Sequence, residues 1–131
     1  MYSFLRSGQD TQRFGSLRFL GGLVLYSGDK AFGGYSGIEL SSDGTSLLAV
    51  SDAGTWLRAE LVITGGRSSG IERARIGPLL ALGSRRLSRS KDRDAEALRL
   101  VKGTLDEGVA LVSFERNERI GYFDIVQGEL K

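Results

Sequence analysis

The chain has 131 residues, about one ordinary domain, and its 40% hydrophobic and 26% charged residues are the balance of folded material rather than disorder. The net charge is only +2 and acids are interleaved with the arginines, which excludes the basic stripe of a nucleic-acid binder. With no cysteine and no histidine there is no disulfide, thiolate metal site, Ser-His-Asp triad or histidine-ligated zinc, so any hydrolytic chemistry must come from carboxylates, hydroxyls, arginine, lysine and a hard metal ion.

The 19 glycines, scattered singly and in pairs beside 1 proline, point to many tight turns and many short strands. Met1 to Phe14 reads as an irregular segment. Ser16 to Tyr26 reads as a strand kinked at Gly21-Gly22; it is too short and too interrupted to span a membrane, and it lacks the flanks of a signal peptide. After a loop, Tyr35–Leu40 is a strand and Ser41–Thr45 a hairpin turn around Asp43-Gly44. Ser46–Ser51 returns as an apolar strand covered on both faces. Asp52–Gly54 turns, Thr55–Ile63 alternates as a third strand, Gly65–Gly70 turns again, and Ile71–Ile76 is an outer fourth strand.

Gly77 to Arg93 is a long connection, with an apolar patch at Pro78–Leu82 followed by the charged run Arg85, Arg86, Arg89, Lys91, Asp92 and Arg93. Ala95–Leu100 then reads as a strand, with a short helix around Asp94 to Lys102 as the competing reading. Lys102–Gly108 is a turn, Val109–Ser113 an apolar strand, Phe114–Glu118 a corner and Arg119–Val126 a further strand, after which Gln127–Lys131 stops.

Two units therefore share one order: strand, turn, apolar strand ending in Ser, acidic corner, alternating strand. Ser51 and Ser113 lie 62 positions apart. Propeller blades recur at roughly 40–50 residues, and the Gly77–Arg93 connection accounts for the excess. The expected fold is all-β, with antiparallel meander sheets forming a partial β-propeller of about two blades. A β-sandwich is the alternative, but it gives no reason for acidic corners to recur at matching places.

Phe32-Gly33-Gly34-Tyr35-Ser36-Gly37-Ile38, Asp43-Gly44 and Leu48-Ala49-Val50-Ser51-Asp52-Ala53-Gly54 resemble the first blade of phytase-like domain proteins, the family also described as having esterase-like activity of phytase. Asp94-Ala95-Glu96-Ala97-Leu98, Val112-Ser113-Phe114-Glu115-Arg116 and Arg119-Ile120 resemble its second characteristic segment, and Gly15–Phe19 with Gly21-Gly22-Leu23 resembles its lead-in. The resemblance implies a phytase-like propeller domain over residues 15–131, incomplete here and so an N-terminal fragment. Family members are exported, which implies a periplasmic or secreted full-length protein, although this chain carries no signal peptide.

Four acids are the candidates for chemistry: Asp52, Asp94, Glu96 and Glu115, with Glu39 behind them. Asp52 and Glu115 occupy equivalent strand-end corners. Carboxylates converging on a propeller channel would make an oxygen-rich site for a hard cation such as calcium, with Asp52, Asp94, Glu96 and Glu115 as ligands. Such an ion can neutralise a phosphate and activate water. Glu96, Glu115 and Arg116 are the expected catalytic residues, Arg116 gripping a phosphate by a two-pronged contact. Acids at turns also serve as solvated or capping groups, the expected role of Asp43. Glu96 and Glu115 border apolar strands, where a carboxylate needs a partner, and that partner is either a site or an ion pair with Arg116 or Arg119. The arginine run is a solvated surface or a lure for an anion. Ser36, Ser51 and Ser113 read as strand and turn residues, and Trp56, Tyr122 and Phe123 as inter-sheet packing.

The functional expectation is a metal-assisted phosphoester hydrolase acting on a small anionic substrate, with no nucleic-acid or membrane partner. The alternatives are a propeller that binds a ligand or protein without catalysis, or an inactive fragment. Two blades alone leave a face and edges uncovered, so the isolated chain is expected to self-associate through exposed sheet edges.

Overall fold

The structure is a computed structural model that describes residues 13–81, 85–87 and 89–131. The irregular segment expected over Met1–Phe14 lies outside the described residues up to position 12, as does Leu82 of the apolar patch. Arg13–Phe14 (β1) pairs with Leu17–Arg18 (β2) across a turn at Gly15. The strand expected over Ser16–Tyr26 is therefore cut to its first residues. Among the described residues no strand continues past Arg18 before Tyr35, and Leu20, Val24 and Tyr26 remain exposed.

Two four-stranded antiparallel sheets follow. The first is the meander of Tyr35–Leu40 (β3), Ser46–Ser51 (β4), Thr55–Thr64 (β5) and Arg67–Pro78 (β6). Gly65 and Gly66, at φ 59° and 75°, make the tight turn between β5 and β6. They shorten the expected Gly65–Gly70 turn to two residues and lengthen the outer strand. In the connection, Leu80–Ala81 (β7) pairs with Arg85–Arg86 (β8), and a single helical turn, Ser90–Arg93 (α1), leads into the second sheet.

The second sheet is the meander of Ala95–Gly103 (β9), Glu107–Phe114 (β10), Arg119–Val126 (β11) and Glu129–Leu130 (β12). The segment read as a possible helix from Asp94 to Lys102 is the strand β9, because its alternate residues Ala95 and Leu98 are drawn into the core. The chain does not simply stop after Val126. Gln127 and Gly128, both at positive φ, turn it into β12, whose Leu130 is buried.

β4 is buried along its whole length, as its unbroken apolar run predicts. Leu48 and Val50 face the second sheet and share one core with Trp56, Leu98, Val112 and Phe123. Leu47 and Ala49 face the other way and pack with Leu57, Ala59 and the partly buried Phe32, Tyr35 and Ile71. Burial there holds the Tyr35 phenol above its ordinary pKa. The chain is all-β, and two meanders of consecutive strands stacked in series fit a partial propeller. A sandwich would exchange strands between its sheets, and neither sheet here does.

The stacked sheets are closest where their first strands meet. A Cβ on Gly37 would fall 2.6 Å from the Leu98 nitrogen, so only glycine lets β9 approach β3 this nearly. Beside it, Glu39 Oε1 accepts from the Leu100 N–H and from Arg99, each at 3.1 Å. Toward the outer strands, the buried Arg58 donates to Asp106 at 2.9 Å and to the Leu47 and Ala59 carbonyls. Arg75 donates to the Gln127 carbonyl at 2.6 Å. No helix among the described residues is long and apolar enough to cross a membrane.

Candidate functional site

The acidic residues gather where β9 begins and β10 ends. Pairing there is irregular: Phe114 opposes Ala95 but Ser113 opposes Ala97, so Glu96 is the extra residue of a bulge. A bulge bends its strand and re-aims the side chain it carries. Asp94 immediately precedes β9 and Glu115 immediately follows β10, and the Glu115 N–H donates to the Asp94 carbonyl at 3.0 Å. The result is three carboxylates, from Asp94, Glu96 and Glu115, with one oxygen of each within 4.8 Å of the others. Asp94 is half-buried; Glu96 and Glu115 are exposed.

The corner around them is braced from α1. Arg119 donates to the Asp92 carbonyl at 2.5 Å and to the Asn117 carbonyl at 3.1 Å, and its guanidinium lies 3.8 Å from the centroid of the Phe114 ring. Asn117 donates to the Asp92 carboxylate at 2.9 Å. Arg116, next to Glu115, places Nε 2.8 Å from Asp94 Oδ2 while most of its side chain stays in solvent.

The first sheet has the same corner without the same acids. Tyr35 opposes Ser51 and Gly37 opposes Val50, which makes Ser36 the bulged residue. The Asp52 N–H donates to the Gly34 carbonyl at 3.0 Å, as Glu115 does to Asp94. Gly34, Ser36 and Asp52 thus stand where the second sheet has Asp94, Glu96 and Glu115. Of the two matched pairs read from the sequence, Asp52 and Glu115 are equivalent, but Ser51 corresponds to Phe114 rather than to Ser113. The extra position comes from register, which a count of residues cannot detect.

Asp52 is not part of the carboxylate group. Its side chain lies over Gly34, whose Cβ would come within 2.1 Å of Asp52 Oδ1. Glu39 is committed to the contact between the sheets. Ser51 bonds Thr55, and Ser36 has only a 3.5 Å contact to the Gly34 carbonyl. Arg85, Arg86 and Arg89 are exposed, whereas the methylenes of Arg93 pack against Gly54. Of the three aromatics expected between sheets, Trp56 and Phe123 are buried there and Tyr122 is exposed. Tyr122 lies on the face of β11 that points away from the first sheet. The sequence reads Arg119 only as an ion-pair partner of the acids; its bond to the Asp92 carbonyl and the Asp92–Asn117 contact carry no signal there, because they join segments that meet only when β9 pairs with β10.

Two oxygens bound to one calcium ion at about 2.4 Å are at most about 4.8 Å apart, so three carboxylates this close can share a single hard cation. The donors are all oxygen, which suits calcium or magnesium and not a soft metal. Three protein ligands would leave coordination positions for water or substrate. Asp94 is the constrained member, since Arg116 already occupies one of its oxygens. A family model described as "Phytase-like: Esterase-like activity of phytase" matches residues 30–131. No curated protein and no solved structure matches the chain.

Proposed function

The chain belongs to the Phytase-like family, and on that premise we propose that it contributes the acidic site of a metal-assisted phosphoester hydrolase. The observation that carries the reading is the convergence of Asp94, Glu96 and Glu115 at one sheet end, beside an arginine. Asp94, Glu96 and Glu115 would hold a hard cation such as calcium, whose chemistry is to offset phosphate charge and make water a better nucleophile.

The chain's own residues supply the rest. Glu96 and Glu115 are exposed and so accessible to an incoming phosphoester. Each would bind the cation through one carboxylate oxygen, and the second oxygen of either can accept a proton from water. Arg116 places Nε 2.8 Å from Asp94 Oδ2 and keeps most of its side chain in solvent, so its guanidinium is accessible to grip two phosphoryl oxygens. The Arg119 brace holds the Glu115–Arg116 corner in place for both tasks.

The test is hydrolysis of a generic aryl phosphate with and without added calcium, alongside calorimetric calcium titration. Replacing Glu96 and Glu115 together by Gln is expected to lower turnover by about a hundredfold or more and to abolish calcium binding. Turnover unchanged in that variant would remove these residues from the chemistry. Retained calcium binding without any turnover in the native protein would instead identify a binding module on the same site.

A further inference from the structure

The single helical turn α1 touches both sheet corners. Asp52 and Glu115 are equivalent positions, so two residues further on Gly54 corresponds to Asn117. Asp92 meets the second corner, where its carboxylate accepts from the Asn117 side chain at 2.9 Å. The next residue, Arg93, meets the first. A Cβ on Gly54, at φ 74°, would fall 2.7 Å from Arg93 Cβ, 2.8 Å from its Cγ and 3.1 Å from its Cδ. The stem of Arg93 is therefore laid against the Asp52–Gly54 turn, and its backbone runs directly into Asp94 of the carboxylate group.

Arg93 carries an unmatched charge. It is half-buried, its side chain makes no hydrogen bond or ion pair among the described residues, and its Nε is buried without an acceptor. Arg58 also has a buried Nε without an acceptor, but its terminal nitrogens reach Asp106 and two carbonyls. The acids beside Arg93 in the chain are already engaged, Asp92 by Asn117 and Asp94 by Arg116. Asp52, two residues before Gly54, has its carboxylate over Gly34. A half-buried guanidinium without an acceptor is costly, and a bound anion relieves that cost. We infer that Arg93 is a second anion-binding residue of the site, its guanidinium receiving an oxyanion of the substrate in the seam between α1 and the Asp52–Gly54 turn. The inference rests on the reading of the acidic group as a phosphoester site, which makes that oxyanion a phosphoryl group. The planar fork of arginine suits such a group better than the point charge of lysine. Packing on Gly54 holds the stem before the anion arrives, so less rotamer freedom is lost on binding. Arg93 binds and orients; it makes and breaks no bond.

Calorimetric titration with inorganic phosphate, first with a calcium chelator and then with calcium, tests this. The native chain is expected to bind phosphate in both conditions. Arg93→Met keeps an unbranched stem to pack on Gly54 and removes the charge. It is expected to weaken phosphate binding by about tenfold or more while leaving calcium affinity unchanged. Arg89→Met, at an exposed arginine of the same connection, is expected to change neither. Should Arg93→Met fail to fold, phenylglyoxal labelling of the native chain decides: phosphate is expected to slow labelling of Arg93 and not of Arg89. Unchanged phosphate affinity in Arg93→Met, a native chain that binds no phosphate in either condition, or labelling of Arg93 that phosphate does not slow would overturn the proposal. Phosphate binding that depends on Arg93, in a chain that neither binds calcium nor hydrolyses a phosphoester, would uphold the anion site and remove the hydrolase reading instead.

Discussion

At Asp43, one carboxylate oxygen accepts from the Ser41 hydroxyl at 2.6 Å, the Thr45 hydroxyl at 2.8 Å and the Thr45 N–H at 3.0 Å. The Ser41 bond is the largest of the effects that lower its pKa from 3.8 to about 2. A carboxyl depressed by folding stabilises the native state above its unfolded pKa, and that contribution is lost as pH falls through the folded value. The melting difference between the native chain and Asp43→Asn is therefore expected to be constant near neutral pH and to close between about pH 4 and pH 2. A difference that does not change over that window would remove Asp43 from the turn's stability. This role was legible in the sequence because Asp-Gly between two strands has a local mechanism. The position of Glu96 in the site was only half legible. Its acidity and its place beside an apolar strand could be read, but its aim depends on a bulge that appears only when β9 and β10 pair out of step.

Element by element, the strands with a clear pattern were readable to the residue. β3, β4 and β11 begin and end where alternation, unbroken apolarity and flanking turns place them. β9 was ambiguous, because Ala95-Glu96-Ala97-Leu98-Arg99-Leu100 suits helix as well as strand until tertiary burial decides. The role of Gly37 could not be read at all, since the group it makes room for is the backbone of β9, 60 positions away. Gly37→Val is expected to cost about 1–3 kcal/mol in urea unfolding by forcing β3 and β9 apart. Gly70→Val, in β6 with no atom near its added Cβ, is the control and should stay within about 0.5 kcal/mol. Equal effects at the two positions would show that strand glycine content, not the approach of the sheets, governs stability.

For the whole molecule, the question is whether the two sheets are separate units or one. The sequence showed two repeats but gave no sign of Arg58, which reads as a solvent-facing residue of an alternating strand. In the fold it is buried between the sheets, because the second sheet brings Asp106 to it and β4 and β5 offer it the Leu47 and Ala59 carbonyls. Asp106 is largely exposed, so the ion pair alone is worth little, but the guanidinium and its stem fill the joint. Trp56, the only tryptophan, lies in the same joint and reports on it by fluorescence. If the sheets fold as one body, tryptophan fluorescence and far-ultraviolet circular dichroism will follow a single urea transition. Arg58→Ala will then shift both curves together, by about 2 kcal/mol, with no change of slope. A fluorescence transition that precedes the loss of strand signal would mean that the joint opens while the blades stay folded.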